Sequence, residues 1–272
     1  MQRASGENYS RVKRLIETNH LHTICTSGNC PNIGECWNAG TATFMILGDI
    51  CTRACKFCNT KTGRPLPPDP TEPQRLAESI KTLRLRHCVI TSVDRDDLPD
   101  GGSSFWAEVI HTVKRRNPGT TIETLIPDFD GNPEYIQKII DEGPDVISHN
   151  IETVRRITPV IRTKAKYDRS LDVIKYISQK GKTAKSGFML GLGEKEDEIN
   201  ETIDDLFNAG CRILTIGQYL KPSPSHLDVV EYISPEQFNE YRESALEKVF
   251  DFVESNPLVR SSFHAEKHVK SG

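Results

Sequence analysis

Long apolar runs are missing from this sequence: nothing in its 272 residues approaches the roughly 20 consecutive apolar residues of a membrane span. The opening stretch MQRASGENYSRVKR likewise lacks the apolar centre of a secretory signal. Long basic runs are absent too, with 35 Lys and Arg against 38 Asp and Glu and a formal charge of -3. Without a concentrated field of one sign there is no electrostatic footprint for nucleic acid or an anionic membrane, and neither is expected as a partner. The expectation is a soluble, cytoplasmic protein acting on a neutral or protein-borne substrate.

Cysteine, by contrast, is abundant. The chain has 8, too many to explain as disulfides in a reducing cytosol, and six of them crowd between positions 25 and 58. The other two, Cys88 in HCVITS and Cys211 in GCRILTIG, sit in short apolar runs where cysteine behaves as a small buried hydrophobe. Both read as core.

Beyond the cysteine-rich region, short apolar runs alternate with segments of helical period, the pattern of repeated βα units around a parallel sheet. Candidate strands are Thr43 to Gly48, Cys88 to Val93, Thr121 to Ile126, Asp145 to His149, Ser186 to Leu190 and Ile213 to Tyr219. Between them, sets such as Leu76/Ile80/Leu83 and Phe105/Val109/Val113 repeat every three or four residues and mark one buried helical face apiece. Asn132-Pro133 reads as a helix start, Gly181 and Gly210 as helix ends, and Ser234-Pro235-Glu236-Gln237 as a capping box opening a last helix that runs near Val253. The expected fold is α/β, a partial (β/α)6 TIM-type barrel with N-terminal and C-terminal extensions packed on it. Residues 1–42 form the leader, 43–233 the barrel, and 234–272 the terminal helix and tail. The proline-rich stretch Arg64 to Pro70 is a loop into the first barrel helix.

Directly after the first candidate strand comes Cys51-Thr52-Arg53-Ala54-Cys55-Lys56-Phe57-Cys58, a CxxxCxxC motif. Three thiolates within so short a span can wrap one face of an iron-sulfur cube and leave one iron without a protein ligand, as an open catalytic metal site does. A strand end is also where a barrel gathers its active site. The motif resembles that of radical S-adenosylmethionine (SAM) enzymes, in which the open iron binds the amino and carboxylate groups of SAM. Phe57 resembles the family's aromatic residue near the adenine. The alternative is half of a structural zinc site, for which four ligands in paired motifs are the norm.

Upstream, Cys25, Cys30 and Cys36 are spaced Cx4Cx5C, which does not put the thiols on one helical face, and Gly28, Pro31 and Gly34 favour a loop folded around a central object. A second cluster is the natural reading. HTICTSGNCPNIGECW beside CxxxCxxC resembles the lipoyl synthase family. The likeness continues in Val93 to Gly102, in His149-Asn150-Ile151-Glu152-Thr153, in Lys185 to Glu194, and in Thr215 to Leu220. The tail Arg260-Ser261-Ser262-Phe263-His264-Ala265 is similar to the family's RSSYxA ending, with Phe263 in place of tyrosine, while the extension usual ahead of Gly6-Glu7-Asn8-Tyr9 is short.

That resemblance implies two 4Fe-4S clusters and SAM as cofactors, with Ser262 the oxygen ligand that completes the Cys25/Cys30/Cys36 cluster and Arg260 its catalytic companion. It further implies insertion of two sulfur atoms, at C6 and C8, into an octanoyl chain on a lipoyl carrier protein. Carriers would be glycine cleavage H protein and the lipoyl domains of 2-oxoacid dehydrogenases, and the electron donor a flavodoxin or ferredoxin. An alkoxide is a harder, poorer partner for iron than thiolate, which suits a cluster meant to be consumed.

Strand ends nominate Asn150, Glu152, Lys185, Gln218 and Leu220 as SAM contacts, the first two suited to ribose and amino acid groups and Lys185 to a carboxylate. Each is equally compatible with an ordinary loop position. Asp94, Asp96, Asp97 and Asp100 lack the spacing of a calcium loop and read as a turn with Gly101-Gly102 facing the carrier. Another radical SAM enzyme with an auxiliary cluster, an iron-sulfur electron carrier and a zinc-stabilised module remain as competing functions. Metal and sulfide analysis separates them: two cubes give about eight irons and eight sulfides per chain, whereas zinc brings no sulfide.

Overall fold

The structure, a computed structural model, describes residues 6–39 and 41–269. The chain divides into two compact units. One takes in the chain up to Arg53 with Asn59–Phe129 and Glu134–Asp145; the other takes in Ala54–Cys58, Asp130–Pro133 and the chain from Val146 onward.

The first unit opens with helix α1 (Glu7–Thr18), a two-residue strand β1 (His22–Thr23) and two short helices, α2 (Ile24–Ser27) and α3 (Ile33–Asn38). Val12 and Ile16 bury one face of α1, and Tyr9 lies against Trp37 with ring centroids 5.1 Å apart. Strand β2 (Thr43–Ile46) pairs antiparallel with β1 and parallel with β5 (His87–Ser92), which pairs parallel with β6 (Thr121–Leu125). A small parallel pair, β3 (Ile50–Cys51) and β4 (Lys61–Thr62), stands apart from that sheet. Helices α4 (Glu72–Leu83), α5 (Ser103–Arg116) and α6 (Pro133–Glu142, all but its first residue) bury the apolar stripes that their 3.6-residue period lays out.

In the second unit, β7 (Val146–Ser148), β8 (Thr183–Leu190), β9 (Ile213–Gln218) and β10 (Phe252–Ser255) pair in that order, all parallel. They are connected through α7 (Thr158–Ile161), α8 (Tyr167–Gln179), α9 (Glu196–Asn208) and α10 (Pro235–Glu247). The capping box at α10 forms as expected: Gln237 N–H donates to Ser234 Oγ at 3.2 Å, and Ser234 N–H donates to Gln237 Oε1 at 3.3 Å. Gly181 and Gly210 follow α8 and α9 with φ of 71° and 88°. One sequence expectation needs correcting. α10 ends at Glu247, short of Val253, because Val249 takes a left-handed φ of 67° and the backbone N–H groups of Asp251 and Phe252 turn to the carbonyl of Arg212. The freed segment becomes β10, which sends Val253 and Ser255 into the interior.

Buried carboxylate Glu72, at the start of α4, accepts the N–H of Leu47 at 3.0 Å. Burial pushes its pKa from 4.5 up to about 7, against the hydrogen bond from Leu47 and the charges of Arg75 and Arg95, while Asp69 adds to the rise. The folded chain therefore binds this proton more tightly than the unfolded chain, and stability falls as pH rises from about 4.5 through about 7. At roughly 1.4 kcal/mol per unit the loss amounts to about 3 kcal/mol. Glu72→Gln keeps an oxygen for Leu47 and should flatten this slope, leaving the variant more stable than wild type above pH 7. Urea unfolding between about pH 5.5 and 8.5 checks it, and parallel wild-type and variant curves would refute it.

Candidate active site

Cys51 ends β3 in the first unit, and its sulfur accepts two backbone N–H bonds, from Arg53 and from Asp94, each 3.4 Å long. The N–H and the hydroxyl of Thr52 both donate to the Asp94 carbonyl, at 3.1 and 3.0 Å, tying the start of the cysteine motif to the chain that leaves β5. Arg53 is 7% exposed and surrounded by carboxylates. Asp96 takes Nε at 2.8 Å and Nη2 at 2.9 Å, Asp128 takes Nη2 at 2.8 Å, and Asp94 lies 3.3 Å from Nη1. Burial opposes the guanidinium charge, but the Asp96 hydrogen bonds and the Asp94 and Asp128 carboxylates outweigh it and hold Arg53 protonated.

The aspartates from Asp94 to Asp100, expected to form a turn with Gly101-Gly102, also have partners within the protein. Asp94 and Asp96 serve Arg53, Asp97 pairs with Arg95 at 2.8 and 2.9 Å, and Asp100 caps α5 through the N–H groups of Gly102 and Ser104. The turn forms as expected, with Gly101 and Gly102 at φ of 61° and 86°. Sequence reasoning missed Arg53 altogether. The available signal was an arginine inside a cysteine motif, where a charge needs partners.

Cys25 and Cys36 lie on α2 and α3, more helical than the loop expected, with Cys30 between them. The N–H of Cys30 donates to the Cys25 carbonyl at 3.0 Å, and that of Ile33 to the Cys30 carbonyl at 3.3 Å. Gly28 is required here, since a Cβ would stand 2.7 Å from the carbonyl oxygen of Ile24. Burial pushes the Cys25 thiol up, opposed by the backbone N–H of Thr43; Cys30 adds to the rise, and the Trp37 indole and Thr43 hydroxyl oppose it. Backbone N–H groups aimed at a sulfur suit a cluster-ligating cysteine, and Cys51 and Cys25 both have them. Among the described residues no three His, Cys, Asp or Glu converge as a single-ion site. A cube of four irons takes its thiolates at separate corners and asks for no such convergence.

Within the second unit, the N–H of Lys56 donates to the Ile161 carbonyl at 2.8 Å and that of Ala54 to Thr163 Oγ1 at 3.3 Å, while His226 Nε2 lies 3.1 Å from the Cys58 carbonyl. These contacts shape the segment bearing Cys55, Phe57 and Cys58. His226 is a second residue that sequence reasoning missed. Phe57, Glu152 and Leu220 are half-buried. Glu152 adopts φ of 71° while its N–H and carbonyl bond to Gly187 and Met189 of β8, so its backbone is fixed from both sides.

Asn150 is 8% exposed, donates from Nδ2 to Ser261 Oγ at 2.6 Å, and keeps a buried Oδ1 with no hydrogen-bond donor in the protein. Lys185 and Gln218, also nominated as SAM contacts, both have partners within the protein. Lys185 is 0% exposed with Nζ 3.1 Å from His268 Nδ1. The Gln218 amide donates to the carbonyls of Tyr219 and Glu231 and accepts the N–H of Ile233, which uses it to clamp the loop after β9.

The tail follows β10 closely. Gln218 N–H donates to the Pro257 carbonyl at 3.2 Å, and a Cβ on Gly217 would stand 2.2 Å from the Val259 carbonyl oxygen. Ser261 and Ser262 come next, both half-buried, with Arg260 donating to its neighbour Val259 at 2.6 Å and Phe263 stacked on His264 at 3.9 Å.

The profile of the Radical SAM superfamily matches residues 45–206, more than half of the chain. The crystal structure of methylornithine synthase (PylB) superposes with a TM-score of 0.59 at 12% identity, covering 92% of this chain and 79% of that one. The chain is thus a radical SAM protein in fold and in sequence, of the α/β class with a mostly parallel sheet. Over 266 residues it is 60% identical to lipoyl synthase of Bacteroides fragilis (98% of this chain, 92% of the relative) and 61% identical to that of Phocaeicola vulgatus (98% and 94%). The chain belongs to the lipoyl synthase family.

Gly217→Ala should force the tail off β9, because the obstructing atom is backbone carbonyl rather than a movable side chain. The expected cost is about 1–3 kcal/mol, as for overpacked interiors. Hydrogen exchange at the amides of residues 256–268 should accelerate while those of β8 stay protected; equal protection in both proteins would show that the close approach is unimportant.

Proposed function

We infer that the chain is a sulfurtransferase that inserts two sulfur atoms, at C6 and C8, into an octanoyl chain held on a lysine of a lipoyl carrier protein. The observation that carries this reading is the reach of the likeness. The superfamily profile begins at residue 45 and ends at 206, whereas the family relatives match 98% of the chain and so take in the cysteine leader and the tail as well. SAM and 4Fe-4S clusters are the cofactors of this family. When bound, the SAM-binding cluster and SAM supply the radical that removes hydrogen, and the second cluster supplies sulfur.

The residues divide the work as follows. Cys51, Cys55 and Cys58 hold the SAM-binding cluster, and Cys25, Cys30 and Cys36 the sulfur-donating one, with Ser262 giving an oxygen ligand to the latter and Arg260 beside it. Those roles rest on the motif spacing and the resemblance of the tail. The two backbone N–H bonds to Cys51 fix its sulfur in place for ligation. The Asn150 amide orients the serine pair by donating to Ser261, and its buried Oδ1 suits a ligand hydroxyl or ammonium. Glu152, Phe57 and Leu220 remain candidates for holding SAM. Lys185 and Gln218 are also candidates, although one lies buried against His268 and the other clamps the loop after β9. Glycine cleavage H protein and the lipoyl domains of 2-oxoacid dehydrogenases are the proposed carriers, with flavodoxin or ferredoxin as electron donor.

Anaerobic incubation with SAM, a reductant and an octanoyl-lysyl carrier domain tests the reading through carrier mass and 5′-deoxyadenosine. Two sulfurs replacing two hydrogens, with two deoxyadenosines per product, is the expected outcome. Cys51→Ala should lower both to background. Cys25→Ala should keep deoxyadenosine formation and leave the carrier octanoylated. Deoxyadenosine without carrier conversion in the wild type would retain the radical SAM class and remove the lipoyl assignment.

A further inference from the structure

Asp94 stands apart from the other carboxylates around Arg53. Its Oδ2 lies 3.7 Å from Cys51 Sγ, its Oδ1 lies 3.3 Å from Arg53 Nη1, and its backbone N–H donates to the same sulfur. Asp96 contacts the same guanidinium through two hydrogen bonds, while its backbone N–H and side chain engage Thr52 Oγ1. Asp128 reaches Arg53 Nη2 at 2.8 Å, with its side chain fully buried. One guanidinium thus meets three carboxylates, and the negative excess reaches the immediate surroundings of a cluster ligand.

The Cys51 thiol donates to this carboxylate, and as a cluster-bound thiolate it would face it as a like charge, with Arg53 and the Thr52–Asp94 hydrogen bonds holding the pair together. Negative charge near a redox centre disfavours adding an electron, and so lowers its reduction potential. A lower potential makes the reduced cluster a stronger donor, which is what cleavage of a carbon-sulfur bond in SAM demands.

We propose that Asp94 is a positioning residue that acts through Cys51, its carboxylate lowering the reduction potential of the SAM-binding cluster while its backbone N–H orients the ligand sulfur. This rests on the assignment of Cys51 to that cluster. Asp96 serves as the internal control, because it shares the Arg53 contact while its side chain and backbone N–H engage Thr52 Oγ1.

The test is a redox titration of the reconstituted full chain, following the part of the reduced-cluster electron paramagnetic resonance signal that changes when SAM is added. Asp94→Asn keeps the backbone donor and the side-chain shape but removes the charge. Its potential should move positive by at least a tenfold change in the reduction equilibrium, about 59 mV for one electron, and deoxyadenosine formation should slow. Asp96→Asn and Asp94→Glu should stay near the wild-type potential. A wild-type potential in Asp94→Asn, or equal shifts in Asp94→Asn and Asp96→Asn, overturns the proposal. If Asp94→Asn fails to take up iron, Asp94→Ser removes the same charge with less bulk and decides in its place; loss of the cluster from both would make the carboxylate a scaffold and overturn the electrostatic role. A wild-type chain with no SAM-responsive signal would instead remove the cluster assignment itself.

Discussion

The buried ion cluster at Arg53 is the constraint around which the first unit is arranged. A guanidinium this far from water is tolerable only where carboxylates reach it with good geometry, and a buried charge stripped of its partners costs several kcal/mol. Its partners come from separate places in the sequence, Asp94 and Asp96 beyond β5 and Asp128 beyond β6, and the arginine itself follows β3. The cluster therefore cannot form until β5 and β6 lie side by side with their ends level. Parallel pairing delivers that arrangement, since strands running the same way release their following loops at one end of the sheet. Chemistry at the cysteine motif thus depends on correct sheet register some forty residues downstream, and a slip of one residue in β5 would turn its side chains to the opposite face.

The second unit uses a different device to bring distant chain together. Its tail is anchored mainly by backbone: β10 lies beside β9, Gln218 donates to Pro257, and the absence of a side chain at Gly217 lets Val259 approach. Side chains finish the arrangement, with Asn150 on Ser261 and His268 wedged between Lys185 and Phe252, whose ring centroid is 4.5 Å from the imidazole. Backbone pairing places the serine pair in a fixed register without requiring a large apolar surface from a polar segment.

The repeating elements were legible in the sequence because each carries its own signal: a burst of β-branched residues for Thr121–Leu125, a threefold and fourfold repeat for Glu72–Leu83, a capping box at Ser234. The cysteine groups were legible as spacing. Strand β10 was not, since four residues following a helical pattern with no glycine or proline between give the eye nothing to break on; the stop is a left-handed valine. The roles of Asp94 and Asp96 were hidden for another reason. A run of aspartates reads as solvated surface when its partner lies far away in sequence, and only the adjacency of strand ends reveals the pairing. Gln218 and Lys185 show the converse limit. A position at a strand end suggests a ligand, but what each side chain reaches depends on the loop or tail that folds over it.

Two cysteines take no part in any of this, and their burial has a consequence for how the others are used. Cys88 is sealed among the strands with its thiol pushed far up by burial, and Cys211 is pushed up to about 12 while donating to the carbonyl of Ile213. Neither offers a thiolate at neutral pH. Folding thereby seals these two thiols away from solvent, so iron supplied to the finished chain meets two fewer rivals, and misloading at them becomes a hazard of the nascent polypeptide more than of the native protein.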